Sequence, residues 1–240
     1  MGSLLLIGLF LGMRHAMEAD HVAAVASLTS RNQSLAHTIK QGAVWGMGHT
    51  ITLFLFGSVV IFMDTVIPAD FAKGLEMAVG LMLVLLGADV LRRVIRDRIH
   101  FHSHQHENGH VHFHVHSHAG ESPSQHDALS HTHQHPCGFP FRALMVGMMH
   151  GMAGSAAVIV LALGTVSSPL QGLLYILIFG VGSIFGMALL SVIISFPMRL
   201  SAARLTWAHN SLQVLVGMMT IGLGIFVLYE NRAILPTGII

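Results

Sequence analysis

Six apolar runs dominate this sequence, at about 3–28, 41–63, 74–92, 141–163, 171–197 and 211–230, and each is close to the roughly 20 residues a helix needs to cross a hydrocarbon layer. Lipid satisfies no backbone N–H or C=O group, so a chain crossing it must be helical or close into a barrel. The runs lack the alternating polar positions of barrel strands, and all six read as transmembrane helices. Composition agrees: the chain is 53% hydrophobic and 10% charged, with mean hydropathy +0.68, outside the range of an ordinary soluble domain. The first run has no basic leader and continues into charged residues, so it reads as a retained span rather than a cleaved signal. A single cysteine, Cys137, excludes an intramolecular disulfide.

One stretch interrupts the apolar pattern. Gly12-Met13-Arg14-His15-Ala16-Met17-Glu18-Ala19-Asp20-His21 sets an arginine, two histidines and two acids inside the first run. An Arg or Asp at a bilayer centre costs about 2.5–3.5 kcal/mol on insertion scales, so these groups need partners or a polar task. Imidazoles beside carboxylates suggest a metal ion. On a regular helix His15 and His21 lie about 9 Å apart along the axis. Metal bonds of about 2.0–2.2 Å do not span that gap. Either the helix unwinds between Gly12 and His21, with Gly8 and Gly12 easing a bend, or the residues form successive stations. A buried network pairing Arg14 with Glu18 or Asp20 is a further reading, compatible with both. His49 in the second run and His150 in the fourth are expected to face the same cavity. Met13, Met17, Met47 and Met152 read as packing residues, with Met17 kept as a pathway candidate. Asp89, beside Arg92 and Arg93, reads as half of an interfacial ion pair.

Positive residues fall in alternate connections: Arg31 and Lys40, then Arg93, Arg96, Arg98 and Arg142, then Arg199 and Arg204. By the positive-inside rule these loops are cytoplasmic and both termini lie outside. The two halves also resemble each other. Gly12-Met13-Arg14-His15 aligns with Gly147-Met148-Met149-His150, Gly42–Met47 with Gly182–Met187, and Val79-Gly80 with Val216-Gly217. Three spans is an odd number, so the second copy enters from the opposite side, as in inverted-repeat transporters. The expected organisation is a first three-helix repeat at 1–95, a cytoplasmic His-rich disordered loop at 96–138, a second repeat at 139–232 and a tail at 233–240.

That loop carries thirteen of the nineteen histidines, too polar a composition to bury a core. His100, His102, His104, His106, His110, His112, His114, His116, His118, His131, His133, His135 and Cys137 are its candidate metal ligands, imidazoles at this density suiting Ni, Co, Zn or Cu.

Arg14-His15-Ala16-Met17-Glu18-Ala19-Asp20-His21 resembles the His-x4-Asp-His signature of the nickel/cobalt transporter (NiCoT) family, and Gly48-His49-Thr50 resembles that family's Gly-His-Ser/Thr motif. The similarity is strongest over residues 8–56. It implies carriage of Ni²⁺ or Co²⁺, with His15, Asp20, His21 and His49 as the ion's ligands. Typical members have about eight spans and Asp/Thr-rich motifs in the second half. Six spans and His150-Gly151-Met152-Ala153-Gly154-Ser155 are closer to the shorter branch described as urease-accessory or high-affinity nickel-transport-like proteins.

These readings describe an all-α membrane protein of six spans in two inverted repeats, sited in the cell (inner) membrane and not an enzyme. Its expected work is uptake of Ni²⁺ and/or Co²⁺ through His15, Asp20, His21 and His49, with Arg14, Glu18, His150 and Met17 supporting the site or its pathway. No resident cofactor and no nucleic-acid partner is expected; a cytoplasmic metallochaperone is a candidate partner. Efflux through the same site, metal delivery to a nickel enzyme, and an intramembrane zinc hydrolase are the alternatives. The last lacks a His-Glu-x-x-His motif and an obvious nucleophile.

Overall fold

The computed structural model describes residues 2–29, 35–63, 67–96, 99–105, 111–117, 139–165, 168–204 and 206–232. They form helices α1 (Gly2–His15), α2 (Ala19–Thr29), α3 (Leu35–Met63), α4 (Ala69–Arg96), α5 (Phe141–Thr165), α6 (Pro169–Arg204) and α7 (Thr206–Glu230), with strands β1 (Ile99–Gln105) and β2 (Val111–Ser117) between α4 and α5. The chain is an all-helical membrane protein apart from that hairpin. Among the described residues four helical segments are long and apolar enough to cross a bilayer: Leu35–Met63, Ala69–Arg96, Pro169–Met198 and Trp207–Glu230. Their surfaces are apolar inside and out. Leu53, Leu83 and Ile176 are buried while Leu55, Phe62, Leu81 and Phe185 are exposed, the pattern of helices that face lipid.

The first apolar run is two helices. After His15 the backbone tightens: Met17 N donates to Arg14 O (2.9 Å) and Glu18 N to His15 O (3.1 Å), three residues back instead of four. A new helix then begins, with Val22 N donating to Glu18 O at 2.9 Å. The interruption expected from the distance between His15 and His21 therefore falls at Ala16–Glu18. Its cause differs from the expected one. Gly8 and Gly12 lie inside regular α1 and serve close packing: a Cβ at Gly8 would press on the Tyr175 ring, and one at Gly12 would collide with Phe179 O. Ala16, Met17, Glu18 and Ala19 are ordinary helix formers, and the acids at the break bond to the histidines on either side of it, Glu18 to His15 and Asp20 to His21. Asp20, at the start of α2, accepts from His21 N through Oδ1 at 2.9 Å, and its charge suits a helix N-terminus.

Small residues bring the helices close enough for backbone-to-backbone contact. Gly8 meets Tyr175, Gly12 meets Phe179 and Ser183, and Gly186 meets Ala16, so α1 and α6 run in the same direction. Gly46 meets Ile184 and Gly42 meets Met187 and Ser191, so α3 runs against α6. Gly147 sits on Trp45 and Gly151 on His49, making α3 and α5 codirectional; Gly80 opposes Gly224 and Gly87 opposes Gly217, making α4 and α7 antiparallel. The largest buried apolar cluster, including Ala16, Val25, Trp45, Leu83, Val146 and Met187, lies where these pairs meet. At one end Asp89 receives Arg142 (2.6 Å) and Arg93 (3.4 Å), an ion pair with one of its two neighbouring arginines as expected, and one that also ties α4 to the start of α5.

The hairpin departs from the expected disorder. Its strands pair antiparallel with His100 opposite His116, His102 opposite His114 and His104 opposite His112. Alternation of histidine with Phe101, Phe113, Val111 and Val115 has the two-residue period of a strand, which explains the pairing. His106, His110, His118, His131, His133, His135 and Cys137 lie outside the described residues, as does the 233–240 tail.

Gly12→Ala and Gly147→Ala should each lower stability by about 1–3 kcal/mol or more, because the added methyl strikes a backbone carbonyl that cannot swing aside. Gly74→Ala and Gly222→Ala meet open space and should be neutral or mildly stabilising in thermal melts of detergent-solubilised protein. Equal melting temperatures for all four variants would contradict this packing.

Candidate metal centre

Four helices deliver the site. α1 ends on His15, α2 begins with Asp20 and His21, α3 carries His49 and α5 carries His150. The break at Ala16–Glu18 interrupts the regular helical rise, and the His15 and His21 rings lie with centroids 4.4 Å apart. His21 is central: its ring is 4.1 Å from His150 and 5.4 Å from His49, while His15 and His49 are 5.2 Å apart. All four imidazoles are at most 9% exposed. Phe179 closes one side against His15 (5.4 Å) and Trp45 the other against His21 and His150 (5.5 and 5.9 Å).

Carboxylates set the orientation of three rings. Glu18 Oε1 accepts from His15 Nδ1 at 3.0 Å, Asp20 Oδ1 from His21 Nδ1 at 3.0 Å, and Asp20 Oδ2 from His150 Nε2 at 2.9 Å. An ionised carboxylate only accepts, so each of these nitrogens carries the proton and the other ring nitrogen presents a lone pair. Those second nitrogens, His15 Nε2, His21 Nε2 and His150 Nδ1, are buried without a hydrogen-bond partner, as are both nitrogens of His49. A buried polar atom left unpaired costs about 1–3 kcal/mol. Several of them facing one another are costly unless a cation uses them together.

The donor set suits such an ion. His15, His21 and His49 offer ligand atoms within 4.8 Å of one another, and so do Asp20, His21 and His150. Neutral imidazole favours Ni, Co, Zn and Cu over Mg and Ca. A carboxylate behind a ligating ring is the usual means of fixing its tautomer and raising its basicity.

The other residues singled out in the sequence separate. Glu18 reaches His15 from a position 57% exposed, so it links the surface to the buried cluster. Arg14 and Met17 point outward, and among the described residues Arg14 makes no ion pair with Glu18 or Asp20, whose carboxylates go to the histidines instead. Trp45 and Phe179 were not anticipated as walls of the site. The available signal was spacing: Trp45 precedes His49 by four residues and so shares its helix face.

Comparison with known proteins agrees with this chemistry. The family model described as high-affinity nickel-transport protein (NicO) matches residues 1–235. The urease accessory protein UreH of Bacillus sp. (strain TB-90) is 34% identical over 233 residues, which cover 95% of this chain and 91% of that relative. No solved structure matches. The family is one of transport proteins, not enzymes.

Asp20→Asn tests the tautomer arrangement. The two rings sit on different carboxylate oxygens, and in Asn one of these becomes an NH2 donor facing a ring N–H, so either His21 or His150 loses its acceptor. Apparent nickel affinity, read as KM for uptake by reconstituted protein, should weaken about 10- to 100-fold. An unchanged KM would remove Asp20 from the site.

Proposed function

The chain belongs to the high-affinity nickel-transport protein family, and from that premise we propose that it takes up Ni²⁺, and Co²⁺ as a chemically similar ion, through the buried histidine cluster. The observation that carries this reading is the convergence of unpartnered imidazole nitrogens from α1, α2, α3 and α5. A hydrated divalent ion entering apolar protein must exchange water for equivalent donors, and these nitrogens are the donors on offer. Glu18, exposed on one side and bonded to His15 on the other, receives the ion. His15, His21 and His49 hold it, and Asp20, hydrogen-bonded to His21 and His150, orients their rings and balances its charge.

Six spans in two inverted repeats form the framework of this proposal, with α1 and α2 as one broken span and α5 as the fourth. Support comes from paired contacts that exchange the halves. Gly12 packs on Phe179 O and Gly147 on Trp45 O; Gly182 packs on Leu9 O and Gly48 on Leu144 O; Gly46 packs on Ile184 and Gly180 on Thr50. Ring contacts follow the same exchange, His15 with Phe179 and His150 with Trp45. These pairs favour matching Trp45-Gly46-Met47-Gly48-His49 to Phe179-Gly180-Val181-Gly182-Ser183, in place of the alignment of Gly42–Met47 with Gly182–Met187. The resulting offset of 134–135 residues also relates His15 to His150. Basic residues at the end of α4 and the start of α5 favour a cytoplasmic hairpin, both termini outside, and the inner membrane of the cell as the location.

A second reading, delivery of metal to an enzyme by a membrane partner, draws on the relative named a urease accessory protein. A cytoplasmic metallochaperone would receive the ion in either case.

Radioactive nickel uptake into proteoliposomes separates transport from passive binding. The intact chain should fill the lumen, and His21→Ala should abolish filling. Replacement of residues 99–138 by a Gly/Ser linker should leave transport at saturating nickel intact, because the buried cluster lies wholly outside that segment. Loss of uptake in a folded linker variant, or full uptake by His21→Ala, would contradict the proposal.

A further inference from the structure

We propose that Ser183 is a further ion-binding residue, contributing a neutral hydroxyl oxygen to the histidine cluster from α6. The inference rests on the reading of that cluster as the nickel site and extends it to a helix to which the resemblance assigned no ligand.

Ser183 is fully buried, and its Oγ has no hydrogen-bond partner. A serine or threonine in an apolar helix ordinarily turns its hydroxyl back onto a carbonyl of the preceding turn. Thr29, Thr52, Ser191, Ser195 and Thr220 all do so here, at 2.7–3.0 Å. Ser183 does not, and its position shows what it faces. With Phe179 as zero and about 100° per residue, the positions of α6 that meet α1 (Phe179, Gly182, Gly186) centre near 335°, and those that meet α3 (Gly180, Ile184, Met187) near 105°. Ser183 falls at about 40°, between the two. Along the axis it lies between the levels of Gly12 and Ala16 on the α1 side, and between those of Thr50 and Gly46 on the α3 side. Those are the levels of His15 and His49, whose rings meet at 5.2 Å.

The paired contacts give an independent route to the same residue. When the halves are exchanged, Ser183 occupies the place of His49. His15 and His150 are both imidazoles at their shared position, whereas the position of His49 carries a hydroxyl in the second half. A neutral oxygen binds Ni²⁺ or Co²⁺ more weakly than imidazole, so this donor steadies the ion without holding it as a fifth histidine would.

The test uses the full chain in proteoliposomes, with Ni²⁺ as substrate, Cd²⁺ as competitor and His21→Ala in parallel. Ser183→Ala should raise the nickel KM about three- to tenfold with turnover within about twofold of wild type. Ser183→Cys, nearly isosteric, puts a soft sulfur at the site and should make Cd²⁺ inhibit at about tenfold lower concentration. A role confined to packing would not move the nickel-to-cadmium preference. If Ser183→Ala does not fold, the cadmium measurement on Ser183→Cys decides alone. Unchanged KM and unchanged cadmium sensitivity, with uptake lost in His21→Ala, would overturn the role of Ser183 and leave the histidine site standing. Wild-type uptake by His21→Ala would overturn both.

Discussion

Asp20 holds two imidazoles at once, His21 beside it and His150 at 2.9 Å from the far half of the chain, and the chemistry of the site depends on that bridge. One carboxylate fixes both tautomers and directs a lone pair of each ring into the bundle. In the proposed nickel site its negative charge would lower the cost of a divalent cation in an apolar surround. The same residue lies in the first turn of α2, where its charge suits the positive end of the helix, so the break between α1 and α2 and the orientation of the rings share one side chain.

The bridge works only because the helices approach closely. In a bilayer no hydrophobic effect pulls helices together, and close packing and polar contacts must do so. Gly12, Gly147, Gly151 and Gly182 let backbone carbonyls of one helix lie against another, which brings α1, α3, α5 and α6 within reach of a single cavity. Added polar contacts lock the arrangement: Thr50 Oγ1 donates to Gly180 O at 3.1 Å, and Ser27 shares a hydrogen bond with Thr220 at 3.0 Å. Rigid walls and unpaired nitrogens are complementary. Helices that could not close over the rings would leave them to water and forfeit selectivity for a partly dehydrated ion.

Much of this was legible in the sequence, for identifiable reasons. Apolar runs of bilayer length announce membrane helices, and charged residues within one of them call for partners or a polar task, because an unpaired charge in lipid is costly. The interruption near Ala16–Glu18 followed from arithmetic: six residues of helix are too long for two ligands of one ion. What escaped was set by contacts remote in sequence. Gly8 and Gly12 could be bend or packing residues, and only Tyr175 and Phe179 decide between them. The partner of Glu18 could be Arg14 or His15, and the backbone turn decides for His15. The glycine spacing of Gly42 and Gly46 recurs at Gly182 and Gly186, so sequence alone aligns these segments six residues away from the matching proposed from the paired glycine contacts. Ser183 carries no signature at all until its unpaired hydroxyl is seen.

Anomalous scattering at the nickel edge from crystals of the full chain grown with Ni²⁺ tests the central claim most directly. The account predicts a peak inside the bundle, about 2.0–2.2 Å from ring nitrogens of His15, His21 and His49. Nickel found only on the histidines of the 96–138 segment, with the buried cluster closed and metal-free at saturating concentration, would contradict it.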